Sequence, residues 1–346
     1  MVRDRDPARD IDRDRDRPVE LDLDLDIPRA VLVALIVVVG AALLVGGATS
    51  GAAFDAFNLD WDGTSDLRET ADASGSEPVV VRNTTEYAAY GEGDLAVVLS
   101  PDREYGEDDA TRVRAFVHRG GTLVVAERDG PHGAALLEAV GAEARPEGPI
   151  LRDERHHHRD PALPVATEVG NHSLVADGAV DSLTLNYGTA VEPGDATVLV
   201  ASSSYAYLDR DGSGEISDDE TARSYPVATI EEVGDGRVIV VGDPSVFINV
   251  MQDDLGNRAF VAALTAGTDH TLVDVSHGSS PPPLVAILLT IRGSTLLQFG
   301  LGVGAILAVA AASRVADRRV ASRRATDRTS RAGAHESVGE TRRGRD

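Results

Sequence analysis

Asp209, Asp211, Ser213, Glu215 and Glu220 occupy positions 1, 3, 5, 7 and 12 of one twelve-residue stretch, DRDGSGEISDDE, with Gly214 at position 6. That spacing suits a hard divalent cation. Calcium takes about six to eight oxygens, and its loop uses a glycine for the sharp turn, a backbone carbonyl at position 7 and a glutamate at position 12 able to bind through both oxygens. Ile216, at position 8, is expected to anchor the loop. The preceding residues, Thr197 to Leu208, read as strand, so a paired helix–loop–helix unit is not expected. The expectation is a single calcium-stiffened hairpin loop with a structural role; a solvated acidic turn is the competing reading.

Other chemistry is thinner. The chain has no cysteine, so disulfides, cysteine zinc sites and a thiolate nucleophile are all excluded. His156, His157 and His158 lie among Asp153, Glu154 and Asp160, but three consecutive side chains do not converge on one ion, and the run reads as a solvated loop. No Ser-His-Asp set can be assigned, and no phosphate loop follows the first strand. Gly300-x-Gly302-x-Gly304 is similar to a dinucleotide motif, yet it falls in an apolar run where Gly300 and Gly304 read as a helix-packing face.

The elements that must position these residues alternate. Short apolar runs of the buried-strand type occur at residues 79–81, 95–99, 122–126, 197–201, 227–230, 238–241 and 271–275. Helical periodicity appears at 108–118, 133–140 and 258–265. The alternation predicts an α/β domain with a mainly parallel, Rossmann-like sheet, and an antiparallel insertion around residues 197 to 230. In such a sheet the strand ends gather Ser100, Glu127, Asp129, Asp243 and Asn249 at one edge, a weak candidate ligand site. Asp243 before Pro244 also suits a helix cap, the preferred reading.

LAVVLSP at 95–101, FVHRGGTLVVA at 116–126, ALLEAVG at 135–141, GRVIVVGDPSVFIN at 236–249 and NRAF at 257–260 together resemble domain-of-unknown-function family 4350. The resemblance covers roughly residues 79 to 314. It implies a membrane-anchored protein of salt-loving archaea with a core similar to the class I glutamine-amidotransferase fold, and no settled activity. Amidotransferase chemistry needs a cysteine nucleophile, which this chain lacks. A neighbouring resemblance, to auxiliary subunits of envelope transporters, implies a supporting role.

Two apolar runs frame the domain. Residues 30–48 and 294–312 carry no charge and each has the length of a membrane-spanning helix. A cleaved signal peptide is the competing reading of the first. Leu284 to Ile291 reads as interfacial, with Arg292 at the headgroups. The tail from 313 to 346 holds ten arginines against five acids, and residues 1–29 hold seven arginines among ten acids. Both arginine-rich tails are therefore expected in the cytoplasm. The block between them, with 42 acids and, Arg292 set aside, 15 arginines, is expected outside.

All 33 basic residues are arginine and the net charge is −24. Concentrated salt screens such self-repulsion to about 3 Å, and an acidic face excludes nucleic acid as a partner. Residues 1–29 read as a disordered tail, 49–77 as a polar stalk, 78–278 as the extracellular domain and 279–293 as a proline-stiffened linker with the interfacial piece. The sequons at Asn83 and Asn171 fit the outer side. The expected protein is a two-pass envelope module, non-catalytic, binding a ligand, an envelope protein or a transporter complex. The alternative is a cell-surface hydrolase using carboxylates at the sheet edge.

Overall fold

The computed structural model describes residues 35–42, 50–176, 178–252 and 256–278, with isolated positions between 284 and 303. Residues 35–42 are helical. Apart from those isolated positions, the rest of both expected spans, both tails and the prolines of the expected linker lie outside the described residues. Among the described residues no helix is long and apolar enough to cross a membrane.

The valine-rich segments pair as the frame of the domain. Strands β1 (Glu77–Val81), β2 (Leu95–Leu99), β3 (Thr122–Ala126), β9 (Gly236–Val241) and β10 (His270–Asp274) form the parallel part. Strands β5 (Glu168–Val169), β6 (Thr197–Ala201) and β8 (Pro226–Val233) extend it with antiparallel pairings. The eight strands run in the order β1-β10-β2-β3-β9-β8-β6-β5. Val97 pairs with Val124, and Val124 with Ile239, so the central register sets like against like. A separate two-stranded ladder joins β4 (Ile150–Asp153) to β7 (Ala206–Asp209).

Alternation of side chains divides the core into two layers. Val97, Val124, Ile239 and Val273 point to one face, where Leu67, Phe247, Phe260 and Leu264 cover them. Ala96, Val98, Leu123, Val125 and Val240 point to the other, under Phe116, Leu136 and Leu137. The covering helices are α1 (Ser65–Ala73) and α4 (Asn257–Thr265) on the first face, and α2 (Glu107–His118) and α3 (Pro131–Val140) on the second.

The structure corrects the expected stalk. Residues 50–77 are folded onto the domain: α1 buries Leu67, Thr70 and Ala71, and Ala56 and Asn58 are fully buried. The segment was hard to read because α1 offers one large apolar side chain, and the loop before it is held by polar contacts. Asn58 Nδ2 donates to the Ala52 carbonyl and to Asp62, both at 2.9 Å. At Gly63 any Cβ would lie 2.0 Å from the Asn58 carbonyl oxygen, so only glycine closes this turn.

Candidate metal centre and the sheet edge

The twelve-residue acidic stretch begins on the last residue of β7. Asp209 pairs opposite Ile150 of β4 and is 7% exposed. Its Oδ2 accepts from the Gly214 amide at 3.1 Å, while its buried Oδ1 has no hydrogen-bond partner. Gly214 takes φ +78°, the left-handed conformation that turns the chain back. Asp211 Oδ1 accepts from the Ser213 amide at 2.9 Å, and Ser213 holds that carboxyl below the usual carboxylate range. Glu220 reaches back across the loop: Oε1 accepts from the Arg210 amide at 2.6 Å and Oε2 from the Ser217 amide at 3.1 Å.

The result is a convergence. One carboxylate oxygen from each of Asp209, Asp211 and Glu220 lies within 4.8 Å of the others. Three like charges at that spacing repel, and a buried carboxylate oxygen with no donor adds a desolvation cost. The nearest counter-charge is partial. Arg152 Nη1 stands 3.9 Å from Asp209 Oδ2, but its Nη2 also serves Asp160 at 3.8 Å, and Arg210 turns away to Glu147 at 3.0 Å. An all-oxygen, anionic donor set suits a hard cation.

The Ser213 hydroxyl donates at 2.8 Å to the Glu215 carbonyl, the oxygen expected at position 7, and the Glu215 side chain is exposed. Two details of the expected loop change. Ile216 is 48% exposed and anchors nothing. Tyr207 does so instead, its hydroxyl lying 3.1 Å from the Gly214 carbonyl and 3.2 Å from Glu154 Oε1. Burial and the adjacent Glu154 push the Tyr207 phenol up to about 12. Nor is the loop a hairpin, because β7 ladders with β4 while the chain leaving the loop enters β8.

The five residues expected at the sheet edge separate. Ser100 and Glu127 meet, with Ser100 Oγ 3.4 Å from Glu127 Oε1; Glu127 is buried and its Oε2 has no partner. Ser100 sits at φ +37°, a strained turn for a non-glycine residue. Asp243 caps the short 3-10 helix Pro244–Phe247, its Oδ1 accepting from the Ser245 amide at 2.7 Å and its Oδ2 from the Asn186 amide at 2.5 Å. Burial raises its carboxyl to about 6. Asp129 is exposed and pairs with Arg128 at 2.8 Å. Asn249 is a tie between segments: it accepts from the Asp66 amide at 3.0 Å and donates to the Asp60 carbonyl at 2.6 Å. The cavity beside Ser100 is about 30 Å³, room for one water.

One constellation escaped the sequence. Ser276 Oγ lies 2.8 Å from His277 Nδ1, and His277 Nε2 lies 3.4 Å from Asp109 Oδ2. Burial lowers the His277 pKa. With a carboxylate as acceptor, the neutral ring carries its proton on Nε2, so the Ser276 hydroxyl donates to Nδ1. This is the polarity of a nucleophilic triad, but the surrounding parts do not fit one. The Ser276 amide donates to Asp274, the Asp102 and Arg103 amides both donate to the His277 carbonyl, and His277 stacks on Tyr105 with centroids 3.7 Å apart. Those amides are thus committed rather than aimed at an oxyanion.

The profile of the domain of unknown function DUF4350 matches residues 56–265. Among solved structures, the mmIFT52 N-terminal domain is 14% identical with a TM-score of 0.40, covering 54% of this chain and 83% of that one. The exo-beta-1,4-mannosidase Op5Man5 from Opitutaceae bacterium strain TAV5 is 16% identical with a TM-score of 0.33, over 59% of this chain and 31% of that one. A beta-galactosidase from Bacillus circulans sp. alkalophilus is 14% identical with a TM-score of 0.31, over 59% and 26%. At these scores none carries an argument about activity. No curated protein matches the chain.

Proposed function

Because this chain belongs to the DUF4350 family, whose description assigns no activity, its function must be read from its own geometry, and we propose a membrane-anchored, non-catalytic binding module whose loop at 209–220 holds a structural calcium ion. The carrying observation is the convergence of one carboxylate oxygen from each of Asp209, Asp211 and Glu220, together with a buried Asp209 oxygen that has no hydrogen-bond donor. Calcium bound there would tie β7 to the loop's far end, and so brace the ladder between β4 and β7. The apolar runs at 30–48 and 294–312, flanked by arginine-rich tails, support two membrane passes with the acidic domain outside. The five parallel strands support a Rossmann-like core akin to the amidotransferase fold.

The reading of a binding module over an enzyme rests on committed groups. Asp243 and Asn249 serve structural hydrogen bonds, and Ser100 faces a space the size of one water. Its partner is an envelope protein or a transporter complex. Thermal melting of the full chain in molar KCl, with calcium or with a chelator, tests the metal. Calcium should raise the midpoint in the parent and leave Asp209→Ala unmoved; equal midpoints in the parent under both conditions would remove the ion from this account.

A further inference from the structure

The loop that precedes α1 displays two large apolar side chains outward. Trp61 is 66% exposed and Leu59 65%, and beside them Val250 is 48% exposed, its amide donating to the Trp61 carbonyl at 3.1 Å. These side chains are not loose. The Asp60 carbonyl between them accepts from Asn249 Nδ2 at 2.6 Å, the Asp60 amide donates to Asn58 Oδ1 at 2.8 Å, and Gly63 closes the turn against Asn58. A rigid loop that holds a tryptophan and a leucine in water marks a surface meant to be covered.

Chain connectivity says what covers it. The Ser50 amide donates to the Phe57 carbonyl at 3.1 Å and the Phe54 amide to the Asp62 carbonyl at 2.8 Å. Trp61 therefore sits beside the point where the chain arrives, and Ser50 follows the apolar run 30–48 by two residues. The departing end is there too: Gly278 lines the same small cavity as Ala53 and Phe54, shortly before SSPPP and the apolar Leu284 to Ile291. Both covalent routes to apolar sequence thus leave the domain at one place.

Resting on the reading that 30–48 is a membrane anchor, we propose that Leu59, Trp61 and Val250 form a bilayer-contact surface that seats Trp61 at the lipid headgroups. An indole suits that depth, with an apolar ring for the acyl boundary and an N–H for the headgroup layer. The exposed Asp60 carboxylate limits the depth, since it stays hydrated at headgroup level. In this pose the carboxyl-terminal edge of the sheet, with Ser100 and Asp274 beside the shared cavity, faces the membrane.

Trp61 is the only tryptophan in the chain, so its fluorescence reports this surface alone. The full chain is reconstituted in phosphatidylglycerol vesicles carrying a headgroup spin label in both leaflets. The expected result is loss of about half the Trp61 emission to the lipid-borne label, with weak quenching by aqueous acrylamide. Full quenching by acrylamide with none from the label overturns the proposal. Shielding from both also overturns it, because a second copy of the chain or another protein then covers the patch. Flotation of the vesicles after an alkaline wash separates the two readings: a chain that floats with Trp61 unquenched by lipid refutes only the contact surface, whereas a chain that washes off refutes the anchor and the surface together.

Discussion

The side-chain amide of Asn249 donates to the main-chain carbonyl of Asp60 at 2.6 Å, joining segments 189 residues apart. Its side-chain carbonyl oxygen accepts from the Asp66 amide at the start of α1, and its main-chain amide donates to the Gly63 carbonyl. One asparagine thus fastens the incoming loop and the first helix to the end of the sheet.

Replacing it should loosen that whole corner. Asn249→Ala removes the side-chain bonds to Asp60, Asp66 and Asn58 and leaves part-buried backbone groups unpaired, at a cost of about 2–4 kcal/mol. Urea unfolding of the full chain in detergent and molar salt would measure it. A cost within ~0.5 kcal/mol, the range of an ordinary surface substitution, would show that the segment from 50 to 77 is not part of the cooperative unit.

Asp243 should give the domain a particular pH dependence. Its carboxyl titrates near 3.8 in an unfolded chain and is raised by burial to about 6 in the folded one. The folded state therefore holds the proton more tightly. The associated stability is fully present below about pH 4 and is lost as pH rises through about 6. Asp243→Asn deletes this titration. Relative to the parent, the variant should gain stability across that window, by at most about 3 kcal/mol. A parent-minus-variant difference that stays flat from pH 4 to 7 would contradict the assignment.

Asp274, at the end of β10, accepts from Tyr87 at 2.8 Å and Tyr105 at 3.1 Å, and its other oxygen accepts from the Ser276 amide at 2.7 Å. Burial raises both phenols well above their ordinary range, and burial also raises Asp274 itself. Asp274→Ala leaves two buried hydroxyls without an acceptor and should cost about 2–4 kcal/mol. Tyr87→Phe, which removes one donor and leaves Tyr105 in place, should cost about 1 kcal/mol. Equal losses in the two variants would mean that the carboxylate is not the hub.

Much of the sheet was legible because its strands are short valine-rich runs that only a doubly covered sheet can bury, as with Leu95–Leu99, where all five residues are buried. The flanking helices α2 and α3 declared themselves by periodicity and terminal glycines. Helix α1 did not, since Leu67 is its one large apolar residue and its neighbours bury threonine and alanine. The ladder between β4 and β7 was hidden for another reason: Ile150–Asp153 puts one apolar and one polar residue on each face, half-buried Ile150 and Arg152 against buried Leu151 and Asp153, over only four positions. At the metal loop, spacing located Asp209, Asp211 and Glu220, because the turn itself brings positions 1, 3 and 12 together. It could not locate Tyr207, whose hydroxyl comes from the preceding strand, nor place Ile216 in solvent. Ser276, His277 and Asp109 come together only through the packing of α2 against the end of β10, which no local pattern reveals.

The central claim, a cation held by Asp209, Asp211 and Glu220, is most directly tested by terbium luminescence. Terbium substitutes for calcium on oxygen donors, and Tyr207, hydrogen-bonded to the loop's Gly214 carbonyl, is placed to sensitise it. Excitation of the full chain through its tyrosines should give terbium emission that calcium displaces and that Asp209→Ala abolishes. Emission that is absent in the parent, or that survives Asp209→Ala undiminished, would contradict it.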